Sequence, residues 1–452
     1  MPDSKLILPV PAHLPEQRVT RLVEPITNFL QVEAMSGVVL LAATVAALFL
    51  ANSAWAESYL TFWNTPVGVR IGSLEIAHSL KHVINDGLMT LFFFVVGLEI
   101  KRELLLGELK DLRVAALPVA AALGGMLVPV GFYLSLQLGE PGESGWGVVM
   151  ATDIAFVVGC LAVLGDRVPR SLRIFVLSLA IIDDIGAILV IAIGYTANLD
   201  LVALGLGVFG VASILSLRYL GVRSIAIYYL AGILTWLAVF ASGVHPTIVG
   251  VVLGLLTPAY AWVGSYRFQA ITHRVNAYLR GESAAGAEAD TQDHHGLLHT
   301  VAVAARETLS PLERLETALH PWVAFGIMPV FAFANAGIPV TAAGFSNPLV
   351  LAVIAGLVLG KPIGIVAASW MAVRLGIATR PDELRWSVIA AAGALSGIGF
   401  TMALFIAGLA LDEGLLTAAK LGILVASFVS AVIGLALLIV FLGRGQTATH
   451  QS

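Results

Sequence analysis

Two aspartates, Asp183 and Asp184, stand side by side inside the apolar run "LSLAIIDDIGAILVIAIG" of residues 177–194. A lysine, Lys361, likewise interrupts "AGLVLGKPIGIVAASW", with at least a dozen non-ionisable residues on each side. A charged side chain at the centre of a membrane-spanning helix costs about 2.5–3.5 kcal/mol, so it is retained where partners or water offset that cost. The sequence therefore predicts a buried polar site built around these residues.

Neighbouring residues on a helix point about 100° apart, so Asp183 and Asp184 cannot face the same partner. We expect one carboxylate to face a wet cavity and the other to face a neighbouring helix.

Two further apolar runs contain polar residues in their middle. Thr152 and Asp153 interrupt "GVVMATDIAFVVGCLAV", and the run "AGALSGIGFTMALFIAG" carries Ser396, Gly397, Gly399 and Thr401. Broken helices expose ends with partial charge, positive at amino ends and negative at carboxyl ends, which an Asp and a Lys can balance respectively. Interrupted spans in corresponding parts of two halves indicate a binding site at the midplane of a transporter.

The elements that must position these residues are membrane-spanning helices. Of 452 residues, 58% are hydrophobic and 12% are charged, against about 25% charged in soluble proteins, which excludes a soluble domain. Apolar runs of about 20 residues can cross the bilayer. We predict about twelve spans, near residues 36–53, 80–100, 114–136, 146–165, 172–194, 200–217, 223–241, 244–263, 320–338, 348–373, 386–410 and 418–442.

The predicted fold is an all-α polytopic membrane protein with inverted-topology repeats and two broken, crossing helices. Spans three to five and ten to twelve form three-helix groups with a broken middle member, and seven spans between equivalents invert the second group. Alternating residues around Pro66 and Gly68 predict a small outer β-hairpin. The predicted divisions are an amino-terminal segment 1–35, a transmembrane domain 36–443 with hairpin 54–79 and linker 264–318, and a tail 444–452.

Arginine and lysine concentrate in alternate loops, which predicts that both termini are cytoplasmic. The first apolar run follows a polar leader, so we expect no cleaved signal peptide. The single cysteine, Cys160, excludes an intramolecular disulfide framework. The linker is rich in Ala, Gly, Asp and Glu and is predicted to be partly disordered. Its clustered histidines could suggest a metal site, although a polar setting explains them without a ligand: His294, His295 and His299.

Seven motifs together resemble the NhaA family of sodium/proton antiporters, from about Met35 to the end of the last span. They are "ATDIAF", "LAIIDDIGAI", "SGVHPT", "HPWVAF", "FAFANAGI", "LGKPIGI" and "GIGFTMALFIA". The joint occurrence of a double Asp, an intramembrane Lys and two broken-helix motifs is specific, whereas each motif alone is weak. The inverted-repeat transporters to which that family belongs bind their ions near the bilayer midplane.

The resemblance implies electrogenic exchange of Na⁺ or Li⁺ for more than one proton. Asp184 matches the family's principal cation ligand and proton carrier, and Asp183 its neighbour, paired with Lys361. Asp153 and Thr152 match the pair at the crossing of the broken helices. No cofactor is expected beyond the transported Na⁺, Li⁺ and H⁺. The resemblance also implies a bacterial inner-membrane location, a role in pH and sodium homeostasis, and a homodimer joined through the outer hairpin; a nucleic-acid partner is not expected.

Several charged residues have two interpretations. The family associates with pH regulation the positions of Glu99, Glu103, Glu316 and His320, which could equally be charged anchors at the membrane interface. Asp86 resembles a family position on the ion pathway, or it is simply solvated near the outer end. His245 is either a residue at the start of a span or a proton relay.

Two other functions compete with exchange. A sodium-coupled symporter of organic anions would share the architecture and use the lysine to bind a carboxylate, but adjacent aspartates disfavour an anionic substrate. An intramembrane aspartyl protease would carry its two aspartates on different helices and a G-x-G-D pattern, which this chain lacks. The sequence therefore favours a transporter over an enzyme.

Overall fold

The structure is a computed structural model that describes residues 29–71, 74–195, 199–222, 225–261, 264, 266, 268–273, 299–300, 303–305 and 307–449. Within these residues, eight helices are long and apolar enough to cross a membrane, and two bent helix pairs raise that number to ten. Two shorter apolar helices, Ala226–Ala241 and Thr247–Leu256, coincide with two more predicted spans. The chain is a multi-pass α-helical membrane protein, as its composition predicts.

The elements follow one another along the chain as α1 Phe29–Ala51, α2 Ala56–Asn64, β1 Pro66–Ile71, β2 Leu74–Ser79, α3 Leu80–Leu105, α4 Leu112–Gln137, α5 Ile154–Leu164, α6 Arg170–Gly194, α7 Leu201–Tyr219, α8 Ile225–Ala241, α9 Thr247–Leu256, α10 Pro311–Asn335, α11 Pro348–Arg374, α12 Trp386–Leu395, α13 Phe400–Ala410 and α14 Glu413–Thr449. A 3₁₀ helix, Glu143–Val149, precedes α5.

The predicted hairpin is present but shorter than expected. Strands β1 and β2 pair antiparallel, with Pro66 opposite Ser79. Residues 56–64 of the predicted hairpin segment 54–79 form helix α2, which bends by 113° from the end of α1. The helix ends before Thr65-Pro66, since the residue before a proline disfavours helical backbone.

Other predicted boundaries also differ: α1 begins at Phe29, inside the predicted segment 1–35, and α14 continues to Thr449, inside the predicted tail. Helix α10 begins at Pro311, so the last eight residues of the predicted linker, 311–318, are helical. Ser310 caps this helix in a capping box with Glu313, a local signal that the apolar pattern does not show. Helix α9 covers ten residues of the predicted span 244–263, since Pro258 follows its end.

The amino-terminal residues 1–28, His294 and His295 lie outside the described residues.

The two predicted three-helix groups meet through their first helices, α4 and α11. An added Cβ at Gly124 would lie 2.2 Å from the carbonyl oxygen of Gly364, and one at Gly360 would lie 2.6 Å from Cα of Pro129. Gly124 in α4 contacts Gly364 in α11, whereas the later residue Pro129 contacts the earlier residue Gly360. The two helices are therefore antiparallel, as inverted repeats require. Their backbones touch because glycine has no side chain there.

Helix α3 packs equally closely against α9. An added Cβ at Gly250 would lie 2.2 Å from the carbonyl oxygen of Thr90. Lys101 Nζ donates hydrogen bonds to the carbonyls of Leu255 and Thr257, at 2.7 and 2.6 Å, at the carboxyl end of α9. We call this end of the bundle, with Lys101, Arg102 and Arg113, the arginine-rich end, and the opposite one the hairpin end.

Candidate functional site

The two breaks predicted from the sequence meet in the middle of the bundle. Residues 151–153 are non-helical between the 3₁₀ helix and α5, and α12 and α13 are bent by 51° at residues 396–399. The backbone N–H of Asp153 donates to the carbonyl of Ile398 at 2.7 Å, and the Thr152 hydroxyl donates to the carbonyl of Ser396 at 3.0 Å. Each break thus supplies hydrogen-bond partners for the other.

Asp153 caps the amino ends of both broken helices. Its Oδ1 accepts from the backbone N–H of Phe156 in α5 at 3.2 Å. Its Oδ2 accepts from the backbone N–H of Thr401 in α13 at 3.0 Å and from the Thr401 hydroxyl. A carboxylate at a helix amino end satisfies free N–H groups and balances the partial positive charge. One side chain therefore neutralises two helix ends inside the bundle.

Lys361 balances the carboxyl end of the 3₁₀ helix that precedes the first break. Its Nζ lies 2.7 Å from Oδ2 of Asp183 and 2.9 Å from Oγ1 of Thr152, and it also donates to the carbonyl of Met150, just after the 3₁₀ helix. An ammonium has three donors, and these three acceptors satisfy all of them. The Thr152 hydroxyl also lies 2.6 Å from Oδ2 of Asp183. Lysine, aspartate and a helix carboxyl end thus form one buried polar group.

The chain places Lys361 here through the close contact of α4 with α11. A π-helical turn, Ala355–Gly360, immediately precedes the lysine, and π turns rotate the residues that follow them. Gly360 lies against Pro129, and an added Cβ at Gly125 would lie 3.9 Å from the side chain of Lys361. The missing side chains let the lysine stem pass α4 toward the crossing.

Asp183 and Asp184 point to different partners, as their helical spacing predicts. Asp183 faces Lys361, whereas Asp184 lines a cavity of about 280 Å³. Both aspartates are nearly inaccessible, with 1% and 2% of their surface exposed. Among the described residues, Oδ1 of each aspartate has no hydrogen-bond partner. Two unsatisfied carboxylate oxygens in a buried site are strong acceptors for a proton or a cation.

The cavity connects Asp153 and Asp184 with the arginine-rich end. Thr152, Asp153 and Asp184 line its inner part, and Glu103 and Glu108 line its outer part. Glu108 is exposed, so the cavity reaches the surface at that end. The remaining polar residues of its wall are Ser36, Glu99, Arg102, Ser178 and His320.

The four residues for which the sequence predicts a role in pH regulation lie in or beside the cavity. Glu99, Glu103 and His320 line it. Glu316 of α10 forms an ion pair with Arg102 of α3, which itself lines the cavity. The ion pair joins two helices on either side of the entrance. Three of these positions therefore share a cavity with Asp184, and the fourth contacts its wall through Arg102.

Asp86 and His245 lie away from this cavity, near the hairpin end. Asp86 is buried, with 7% of its surface exposed. Its carboxylate faces two imidazoles, those of His82 and His245. His245 precedes α9, as expected for a residue at the start of a span.

Comparison with known proteins gives the family. A family model described as Na⁺/H⁺ antiporter 1 matches residues 27–438. The chain belongs to this family. It is 55% identical over 439 residues to Na(+)/H(+) antiporter NhaA 1 of Acidiphilium cryptum (strain JF-5), covering 97% of each chain. It is 56% identical over 423 residues to the NhaA antiporter of Rhizobium meliloti (strain 1021), covering 94% of this chain and 96% of the relative.

A third antiporter of the family, from Rhodopirellula baltica, is 51% identical over 427 residues, covering 94% of this chain and 96% of the relative. The resemblance read from the sequence motifs is thus confirmed at the level of the family. Proteins of this family are named as antiporters, which are transporters and not enzymes.

Sequence reasoning missed several contributors to the candidate site. Thr401 was noted as part of a break, but its two bonds to Asp153 depend on how the breaks cross. The carbonyls of Met150 and Ser396 carry no signal in a sequence. His82 did leave a signal, because it stands four residues before Asp86, one helical turn away.

Proposed function

We propose that this protein exchanges Na⁺ or Li⁺ for protons across the bacterial inner membrane, electrogenically and by alternating access. Asp184 is the principal ligand of the cation and carrier of protons, and Asp183 shares both roles. Family membership supports the exchange of Na⁺ for protons, since the related proteins are named Na⁺/H⁺ antiporters. The site geometry supports the finer mechanism.

One observation carries the proposal: adjacent buried carboxylates, each with an oxygen that has no hydrogen-bond partner among the described residues, beside a cavity that reaches Asp184 from the arginine-rich end. A buried carboxylate is costly unless a proton or a cation balances it. The same oxygens can hold either one, so binding the cation expels protons. Exchange then follows from competition, without a separate coupling device.

Lys361 can exist in two protonation states, one paired with Asp183 and one after a cation has drawn Asp183 away. While Asp183 is ionised, the ion pair with Lys361 satisfies one of its oxygens. A cation that draws Asp183 toward Asp184 leaves the lysine without its counter-ion, and a buried ammonium without a counter-ion is unfavourable. We propose that Lys361 then releases its proton, which would give more than one proton for each cation.

Asp153 and Thr152 hold the crossing together and let it move. The partial charges at the helix ends are balanced by side chains of other elements, so each broken helix can shift without exposing a free charge to lipid. We place the arginine-rich end, and both termini, on the cytoplasmic side. In that orientation the described cavity opens to the cytoplasm.

The test is exchange by purified protein in proteoliposomes with an imposed proton gradient. Na⁺ or Li⁺, but not K⁺, should dissipate the gradient, as reported by dequenching of an acid-trapped dye. Asp184→Asn should abolish exchange, and the exposed Glu140→Gln should retain it. Full activity of Asp184→Asn would contradict the ligand assignment. Calorimetry measures the competition directly, because the number of protons released on cation binding should fall as pH rises.

A further inference from the structure

A second group of titratable side chains lies at the hairpin end, around Asp86. His82 Nε2 lies 3.1 Å from its Oδ2, and His245 Nε2 lies 3.8 Å from its Oδ1. Within the described part of the chain, these two histidines are its ion-pair partners. Asp183 differs, because its ion-pair partner in the structure is a lysine. Histidine changes its charge near neutral pH, so the net charge around Asp86 depends on protonation.

His245 is held in one orientation toward Asp86. Its Nδ1 lies 2.7 Å from Oγ1 of the buried Thr247 and accepts from the Thr247 backbone N–H at 3.5 Å. An accepting Nδ1 places the ring proton of the neutral form on Nε2, which faces the carboxylate. At 3.8 Å from Oδ1 of Asp86, this nitrogen is too far away for a hydrogen bond. We therefore assign the variable charge to His82, which lies closer to the carboxylate, at 3.1 Å, and whose side chain is 47% exposed.

The backbone around Asp86 also departs from regular α-helix. It lies in a π-helical turn, Ile84–Leu88, within α3. The other described π turns stand next to residues of the transport site, since Ala355–Gly360 precedes Lys361 and Val323–Ile327 follows His320, which lines the cavity. Single π turns in α-helices occur frequently at functional sites. The bulge beside Asp86 thus fits a second site on the ion path.

An aromatic cluster separates this group from the central aspartates. Phe405 lies one helical turn after Thr401, which binds Asp153. The Phe405 ring centroid lies 5.6 Å from that of Phe93, 6.1 Å from that of Phe331 and 5.4 Å from that of His245. These buried rings lie between the two groups of acids. A cation from the hairpin end would meet Asp86 before the rings.

We propose that Asp86 and His82 form a second station for the transported cation at the hairpin end, where His82 must be uncharged before Asp86 can hold the cation. This inference rests on the proposed exchange function. A protonated His82 neutralises Asp86 and repels the cation. At higher pH the histidine loses its proton to water, and the free carboxylate supplies an anionic oxygen ligand.

Of the other described groups near Asp86 and His82, none contacts the Asp86 carboxylate as closely as His82 does. His78 of β2 stacks on His82, with ring centroids 4.6 Å apart, and makes no contact with the carboxylate among those described. From α8, the neighbours are the uncharged rings of Phe240 and Trp236. Lys81 lies on the other side of α3, against Lys420 of α14. His82 is therefore the titratable group with the closest contact to Asp86.

The experiment compares His82→Gln with His82→Arg in membrane vesicles of both orientations. For Na⁺ supplied at the hairpin end, the parent's apparent KM should rise as pH falls. His82→Gln should flatten that rise, because the charge is removed. His82→Arg should raise KM roughly tenfold at alkaline pH, as expected for a fixed like charge near a partly desolvated site. For Na⁺ supplied at the arginine-rich end, both variants should resemble the parent.

His78→Gln is the matched control, since it alters the stack and leaves the carboxylate contacts intact; its KM should follow that of the parent. If the apparent KM shifts in opposite directions in the two His82 variants, and only for Na⁺ supplied at the hairpin end, a general loss of stability cannot be the cause. The inference is overturned if both variants keep the parent's pH dependence, or if both lose turnover equally from either side. If the parent itself fails to exchange Na⁺ for protons, the proposed function fails instead.

Discussion

Lys361 Nζ lies 2.7 Å from Oδ2 of Asp183, and neither side chain is exposed to solvent. The pair joins α11 to α6 across the crossing of the broken helices. Desolvation of two charges is expensive, and their attraction offsets it only when further hydrogen bonds complete the site. Thr152 and the carbonyl of Met150 supply those bonds.

Lys361→Ala should lower stability, because it leaves Asp183 buried and unpaired. Removing one partner of a buried ion pair costs about 3–5 kcal/mol, so the thermal unfolding midpoint in detergent should fall clearly. The double variant Lys361→Ala/Asp183→Asn should recover part of that loss, since the orphaned charge is removed as well. An unchanged midpoint in Lys361→Ala would contradict the energetic role of the pair.

Asp153→Ala should cost more than the loss of an ordinary helix cap. Asp153 accepts N–H groups of two helices, whereas Asp200 caps only α7, at an exposed site. Each cap is worth about 0.5–2 kcal/mol, so Asp153→Ala should lose roughly twice what Asp200→Ala loses in unfolding free energy. Denaturation in matched detergent compares the two variants. Equal losses would show that the second cap contributes nothing.

Gly124→Ala should disrupt the contact between α4 and α11 and displace Lys361. The added Cβ would lie 2.2 Å from the carbonyl oxygen of Gly364, far inside van der Waals contact. Gly131→Ala in the same helix is the matched control, because an added Cβ there meets nothing within 4 Å. We expect Gly124→Ala to lower both the unfolding midpoint and exchange, and Gly131→Ala to preserve both. Similar behaviour of the two variants would contradict the close packing.

Ser178→Cys should react with a small cationic thiol reagent added at the arginine-rich end. Ser178 lines the cavity, whereas Ser369 is also buried but is not part of its wall. In a Cys160→Ser background, we therefore expect labelling of Ser178→Cys and protection of Ser369→Cys. Na⁺ should slow the labelling if it occupies the site at Asp184. Labelling from the hairpin end alone would place the opening on the wrong side.

Much of the fold could be predicted because lipid imposes one rule on every span. Each span needs about 20 apolar residues in helical conformation, so hydropathy locates the helices and charged interruptions stand out. The sequence motifs likewise identified the family. The start of α10 and the start of the hairpin differ from the predicted positions, because capping and proline geometry decide them locally.

The amino-acid sequence by itself determined the class of protein, the breaks in two helices and the residue types of the site, since these follow from local composition and helical spacing. Only the tertiary structure decided which groups meet. Residues as distant in sequence as Asp153 and Thr401 share two hydrogen bonds. The contact of Asp86 with His245, and the position of Phe405 between two groups of acids, likewise depend on how separate helices pack. Packing of glycine-lined helices fixes such distances, and no local pattern encodes them.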